Sequence, residues 1–262
     1  MFDTPHKWAV GFHLLLANLR QNKSRQKRRV GKVAIYYRIC DNGYPKEKPN
    51  YITKELCLAN AVKEFPISEV EWHVLADNVS EDTFKMIQEY VPSSAITRVS
   101  VGFGAGTFRI AYEFALKQEN DTLVYFLEDD YLHIPHSLDY LKEAAECNYT
   151  DYLTLYDHPD KYCNSINPYV TNDGEVSRVF WCGHRHWKQT NSTTMTFAAF
   201  SDILKKDKKT FMRWTNGRHP WDFIIFTDLR KMEGRLLSCP IPSCSTHGES
   251  SFLAKGVDWG EI

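Results

Sequence analysis

From Lys32 onward, short apolar runs alternate with stretches whose apolar residues recur at helical spacing, the pattern of strands and helices taken in turn. The run 33–39 reads as a strand and is followed by a helical stretch over 53–63. A second strand, 71–76, ends at Asp77-Asn78, after which Ser80-Glu81-Asp82 reads as the cap and first turn of a helix over 83–90. A third short strand, 95–99, meets the loop Gly102-Phe103-Gly104-Ala105-Gly106, and a helix over 107–117 follows. The fourth run, 123–127, is aromatic and β-branched enough for a strand buried on both faces. Strands separated by helices in this way predict βαβ units with right-handed crossovers, and hence an α/β fold around a largely parallel sheet with flanking helices.

The pattern continues less regularly. Pro135 suits the first turn of a helix running to about Glu146. Strands are expected at 152–156 and 177–181, with the loop 157–176 between them, and a strand or buried helix start at 193–200 leads into a helix through Ile203 and Leu204. A final helix is expected over 221–231, and 235–245 reads as a last strand with prolines at a sheet edge. The expected organisation is an N-terminal helix and basic linker (1–31) and a single domain (32–262), made of a ligand-binding half (32–134) and an elaborated C-terminal half (135–262).

Composition narrows the partners. Lys plus Arg (32) nearly balances Asp plus Glu (33), so the net charge of −1 gives no electrostatic case for nucleic acid, and a small-molecule partner is expected. Seven scattered cysteines without a C-x-x-C pair resemble neither a disulfide framework nor a zinc site, which points to a reducing, cytoplasmic setting. The sequons at Asn78, Asn148 and Asn191 matter only in a secreted chain. No apolar run is long enough to cross a membrane. The stretch 8–19, followed by the basic run 20–29, reads either as an interfacial helix giving peripheral membrane contact or as a helix packed on the body before a solvated linker.

The chemistry gathers at the end of the fourth strand, where Glu128-Asp129-Asp130 follow the apolar run. Carboxylates there are costly without a cation, and ligands in open α/β sheets collect at the carboxyl ends of strands. Grouped carboxylates favour Mg2+ or Mn2+, above all when a diphosphate supplies further oxygen ligands. The acidic loop without metal is the plainer alternative. His133 and His136 read as shaping the loop after the acids; Cys182, His184 and His186 fall on one face of a strand but lack a fourth ligand, and with Trp181, Trp187 and Trp214 they either line a sugar-binding pocket or pack in the core and surface.

A nucleotide-binding α/β half, a glycine-rich loop before a helix, and a strand ending in an acidic triplet together resemble the nucleotide-sugar-dependent glycosyltransferases of the GT-A fold, over roughly 32–250. The resemblance implies a metal-dependent hexosyltransferase-like enzyme using Mn2+ or Mg2+, a nucleoside-diphosphate sugar as donor, and a glycan, glycolipid or protein as acceptor. It gives Asp130 to the metal, and Glu128 or Asp129 to the ribose or a metal-bound water. Tyr37 or Arg38 and Asp77 are given to the nucleoside, and Arg109 to the diphosphate, with a turn role for Asp77 and a surface ion pair for Arg109 as the plainer alternatives. Asp222, in the first turn of a late helix, takes the place of the base of inverting members, against ordinary helix-terminus charge, and His247 that of a late metal ligand. The rival readings are a sugar-1-phosphate nucleotidyltransferase, whose glycine-rich basic loop is not found at Arg38-Ile39-Cys40-Asp41-Asn42-Gly43, and a non-catalytic nucleotide- or glycan-binding module. A metal-dependent phosphoesterase fits less well, since its dense His/Asp set is absent from the strand ends.

Overall fold

The computed structural model describes residues 27–43, 45–167 and 170–262. The expected helix at 8–19 and most of the basic run lie outside the described residues.

The N-terminal half follows the predicted alternation. Strand β1 (Lys32–Cys40), helix α1 (Lys54–Glu64), β2 (Glu71–Asp77), α2 (Glu81–Tyr90), β3 (Ile96–Val99), α3 (Gly104–Ala115) and β4 (Thr122–Glu128) build four parallel strands in the order β3-β2-β1-β4. Ser80 caps α2 through the Thr83 N–H, as the sequence pattern indicates. On β4, alternation sends Tyr125 to a layer with Phe65 and His133, and Phe126 to an aromatic layer with Phe108, Tyr112 and Phe197. Both faces are therefore covered, which is why the strand carries no alternating polar residues.

After β4 the chain leaves the main sheet. Asp129 and Asp130 make the turn into β5 (Tyr131–His133), which pairs antiparallel with β11 (Ser245–His247) in a separate two-stranded sheet. Between them run α4 (Ser137–Glu146), β6 (Tyr152–Leu153), β7 (Val179–Cys182), β8 (Arg185–Thr190), β9 (Phe197–Phe200), α5 (Ser201–Trp214), α6 (Asp222–Asp228) and β10 (Leu237–Ile241). Among the described residues the main sheet has nine strands, β3-β2-β1-β4-β9-β6-β10-β8-β7, and mixes directions beyond β4.

Three local expectations change. The strand over 235–245 is not at an edge: β10 lies between β6 and β8, and Pro240 is tolerated because β6 pairs only with Leu237 and Ser238. Cys182, His184 and His186 do not share a strand face, since the chain turns at Gly183 and His184 between β7 and β8. Finally, Cys147 and Cys182 form a disulfide with a Cα–Cα distance of 6.4 Å, so the cysteines are not all free thiols. The bridge departs from the cysteine pattern read from the sequence, in which no disulfide framework is expected.

The disulfide closes 35 residues of sequence separation, which corresponds to roughly 2–4 kcal/mol of unfolded-chain restriction. Reduction, or Cys147→Ser, is expected to lower Tm by roughly 5–10 °C, read by calorimetry with and without dithiothreitol. An unchanged Tm removes the bridge from the stability of the fold. Among the described residues no helix is long and apolar enough to cross a membrane.

Candidate active site

The acidic turn is enclosed by three segments: the end of β1, the connection from β1 to α1, and the end of β11. The Cys40 N–H donates to Asp129 Oδ2 at 3.1 Å. Asp130 Oδ2 accepts from the ammonium groups of Lys46 and Lys48, each at 3.2 Å, and lies 3.4 Å from His247 Nε2. Lys46 Nζ is also 2.8 Å from His247 Nε2. An ammonium has no lone pair, so Nε2 must be the acceptor, which fixes the neutral imidazole as the tautomer protonated at Nδ1. Glu47 accepts from the Ser250 N–H at 2.8 Å and so ties the lysine-bearing connection to the segment after His247.

Two glycine neighbours explain how close these segments come. Gly248 donates its N–H to the Asp130 carbonyl at 2.7 Å. A Cβ there would meet that oxygen at 2.9 Å and the Ile52 side chain at 2.6 Å, so only glycine fits.

The two adjacent carboxyls behave oppositely. Burial and the neighbouring Asp130 charge push Asp129 up to about 7. Burial also opposes ionisation of Asp130, but the positive charges gathered on it, Lys46 and Lys48 among them, outweigh it and hold this carboxyl well below the usual carboxylate range. For Asp129, whose folded pKa lies above its ordinary 3.8, the stability contribution is fully present below that value and is lost as pH rises through about 7. Asp129→Asn keeps an acceptor for Cys40 and is expected to raise Tm above wild type by a few degrees at pH 8, with the gain vanishing near pH 4. Melting curves across that range check it, and a gain independent of pH would contradict the burial argument.

Arg38 braces the other side. It is buried in β1, and its guanidinium donates to Glu128 Oε1 (3.0 Å), the Met195 carbonyl (3.0 Å) and the Gly104 carbonyl (3.4 Å). One side chain thus joins the acidic triplet, the glycine-rich loop and the turn before β9. That turn is held by Asp222: Oδ2 accepts from the N–H groups of Thr193 (2.7 Å) and Thr194 (3.1 Å), and Oδ1 from the Thr193 hydroxyl (2.6 Å) and the Met195 N–H (3.4 Å). Thr194 and Met195 sit in the left-handed region, at φ of 51° and 61°, so successive amides converge on the carboxylate as an anion nest. The Tyr131 hydroxyl reaches Thr194, linking this nest to the turn that carries Asp130.

The other expected site residues take different places. Tyr37 is wholly enclosed, packed on Trp72, and its hydroxyl has no hydrogen-bond partner among the described residues; burial, then the charges of Cys57, Asp129 and Asp130, push the phenol far up. Asp77 is buried and spends its oxygens on Val101 N–H (2.7 Å), Gly102 N–H (3.0 Å) and the Thr107 hydroxyl, so it shapes the glycine-rich loop. Arg109 is exposed, while Ala105, Phe108, Ala111 and Tyr112 form the buried face of its helix. His133 is in the core, bonded to Tyr125 at 2.9 Å, and burial lowers its pKa to about 3. Trp187 is buried, Trp214 donates to Asp228 at 2.7 Å, and Trp181 is exposed on the edge strand.

Sequence reasoning passed over Lys46, Lys48 and the nest at Thr193–Met195. The only signal for the lysines was Pro45-Lys46-Glu47-Lys48-Pro49, a proline-bracketed basic stretch just after the first strand.

Can these residues hold a divalent cation? Among the described residues no group of three or more His, Cys, Asp or Glu side chains is gathered for a metal. The pair Asp130 and His247 nevertheless fits one. Both are buried, Asp130 Oδ1 has no hydrogen-bond partner among the described residues, and the Nε2 lone pair is directed at a cation, here the Lys46 ammonium. Two protein donors, with diphosphate oxygens and water for the rest, suit Mg2+ or Mn2+, which keep several non-protein ligands.

The architecture has relatives of known structure. GalNAc-T7, solved with UDP, GalNAc and Mn2+, superposes with a TM-score of 0.56 at 12% identity, over 94% of this chain and 53% of that one. Galactosyltransferase LgtC, solved with donor and acceptor sugar analogues, gives 0.40 at 14% identity over 78% and 72% of the two chains, and S. aureus TarS gives 0.45 at 13% over 79% and 35%. The chain therefore spans about half the length of the GalNAc-T7 structure. Its fold is that of the GT-A nucleotide-sugar glycosyltransferases. No protein family and no curated protein matches the sequence itself.

Proposed function

We propose that the protein is a glycosyltransferase that moves a sugar from a nucleoside-diphosphate donor to an acceptor hydroxyl of a glycan, glycolipid or protein, with inversion. The observation that carries this reading is the buried Asp130–His247 pair, aimed at a cation at the carboxyl end of β4, where a GT-A fold binds its donor. Asp130 and His247 would hold Mn2+ or Mg2+, which supplies positive charge to the departing diphosphate. Lys48 adds a second positive group on the same carboxylate. Arg38 keeps Glu128 and the Met195 turn in fixed relation, so that donor and acceptor sides stay aligned. Asp222 is the proposed base. Its weakest bond, the 3.4 Å contact from Met195 N–H, is the one an acceptor hydroxyl would replace.

Thermal shift with UDP, GDP and ADP, each with and without Mn2+, tests the donor half, because a ligand of the native state raises its apparent stability. One diphosphate is expected to raise Tm only with the metal. Release of free sugar from the matching nucleotide-sugar separates transfer chemistry from a binding module, and pyrophosphate release from a nucleoside triphosphate would favour the nucleotidyltransferase alternative. Absence of any nucleotide shift would overturn the reading.

A further inference from the structure

Lys46 occupies a place the proposed reaction does not explain. Its ammonium sits on both groups of the cation-binding pair, 3.2 Å from Asp130 Oδ2 and 2.8 Å from His247 Nε2, while Lys48 touches Asp130 alone. A neutral imidazole offers one lone pair on Nε2, and that lone pair serves either the ammonium or a metal. The carboxylate faces no such choice, because Asp130 Oδ1 accepts no hydrogen bond among the described residues. Lys46, and not Lys48, is therefore the group that competes directly for the site.

What happens to Lys46 when it is displaced follows from its tether. The side chain is only about one-fifth exposed, and the backbone of its segment is pinned through Glu47 to Ser250, so the ammonium cannot withdraw far into water. A flexible four-carbon stem lets it swing by a few ångströms. Beyond Asp130 its charge is faced by the carboxylates of Glu128 and Glu249, neither in ion-pair contact with it among the described residues, and the diphosphate that arrives with the metal adds a further anionic partner.

We propose that Lys46 is a built-in counter-cation that closes the Asp130–His247 pair in the absence of donor and moves onto the diphosphate when a divalent metal takes its place. The inference rests on the donor-site reading above and adds a binding and regulatory role for Lys46. Metal alone displaces Lys46 and leaves it only the more distant carboxylates of Glu128 and Glu249, so it binds weakly. Metal with diphosphate satisfies every charge, so each ligand strengthens the other by the same factor. The enzyme then takes up metal and donor together and resists loading by metal alone.

The test uses Mn2+ alone, followed by the loss of the free-ion electron paramagnetic resonance signal, and then Mn2+ with inorganic pyrophosphate, which carries the diphosphate without requiring the base to be known. Lys46→Met is expected to bind Mn2+ alone about tenfold more tightly than wild type, and the enhancement of Mn2+ binding by pyrophosphate is expected to shrink by a similar factor. Lys46→Arg keeps the charge and is expected to stay close to wild type for Mn2+ alone. Lys48→Met removes equal charge from the same carboxylate but leaves His247 capped, and is expected to have a much smaller effect. Equal tightening by Lys46→Met and Lys48→Met would reduce the effect to general electrostatics and overturn the proposal, as would unchanged Mn2+ affinity in Lys46→Met. Failure of every nucleotide to bind wild type would instead strike the donor-site reading, while the comparison with Mn2+ alone would still decide the role of Lys46.

Discussion

Asp130→Asn is expected to reduce sugar transfer by about 10²–10³-fold, the range for losing one preorganised charged group that faces charge developing in the transition state. The isosteric amide keeps the turn and its backbone bond to Gly248 but removes the negative charge that holds Lys46 and Lys48 and that a divalent cation would need. The amide oxygen can still accept from both ammonium groups, and transfer is measured well below the Tm of the variant so that any loss of stability is separated from loss of function. The measurement pairs transfer kinetics with the Mn2+-dependent nucleotide shift: both are expected to disappear together. A variant that retained the nucleotide shift would remove Asp130 from the donor site.

Arg38→Met is expected to act mainly on stability. Three acceptors, Glu128 Oε1 and the carbonyls of Met195 and Gly104, lose their donor, and the guanidinium they share is buried. Breaking a buried charged network by removing one partner costs roughly 3–5 kcal/mol, or about 10 °C in Tm for a chain of this size. Transfer should fall as well, measured well below the new Tm, because the turn holding Asp222 loses one of its two anchors. Arg38→Lys is not expected to rescue either property, since one ammonium cannot reach three acceptors in the plane that the fork reaches. A Tm within a degree of wild type would show that the network is dispensable.

The sequence made the first half of this molecule legible for a physical reason. In β1 to β4 the apolar runs are buried by neighbours close in the chain, so periodicity and burial agree, and the acidic triplet stands out at the end of β4. Farther on, partners come from distant positions. β10 is flanked by β6 and β8, and nothing local at Pro240 reports that it is interior. Cys147 and Cys182 meet only because α4 and β7 do. Asp222 does lie in a first helical turn, as its setting predicts, but the three residues it holds are 27 to 29 positions away. Asp77 illustrates a different gap: its place beyond β2 was readable, yet its oxygens turn inward to the glycine-rich loop. Lys46 and Lys48 were hardest of all, since a loop lysine over a carboxylate has the same local pattern as one in water.

The tight approach at Gly248 limits what can stand beside the acidic turn. Any side chain at this position would push the strand end away from the Asp130 carbonyl and from Ile52, and with it the segment that Ser250 fastens to Glu47. A histidine closing the last strand and followed at once by glycine, together with a lysine between the first strand and the first helix, is therefore a compact marker of this geometry. If Lys46 couples metal to donor as proposed, chains that carry one half of that marker without the other are expected to lack that coupling.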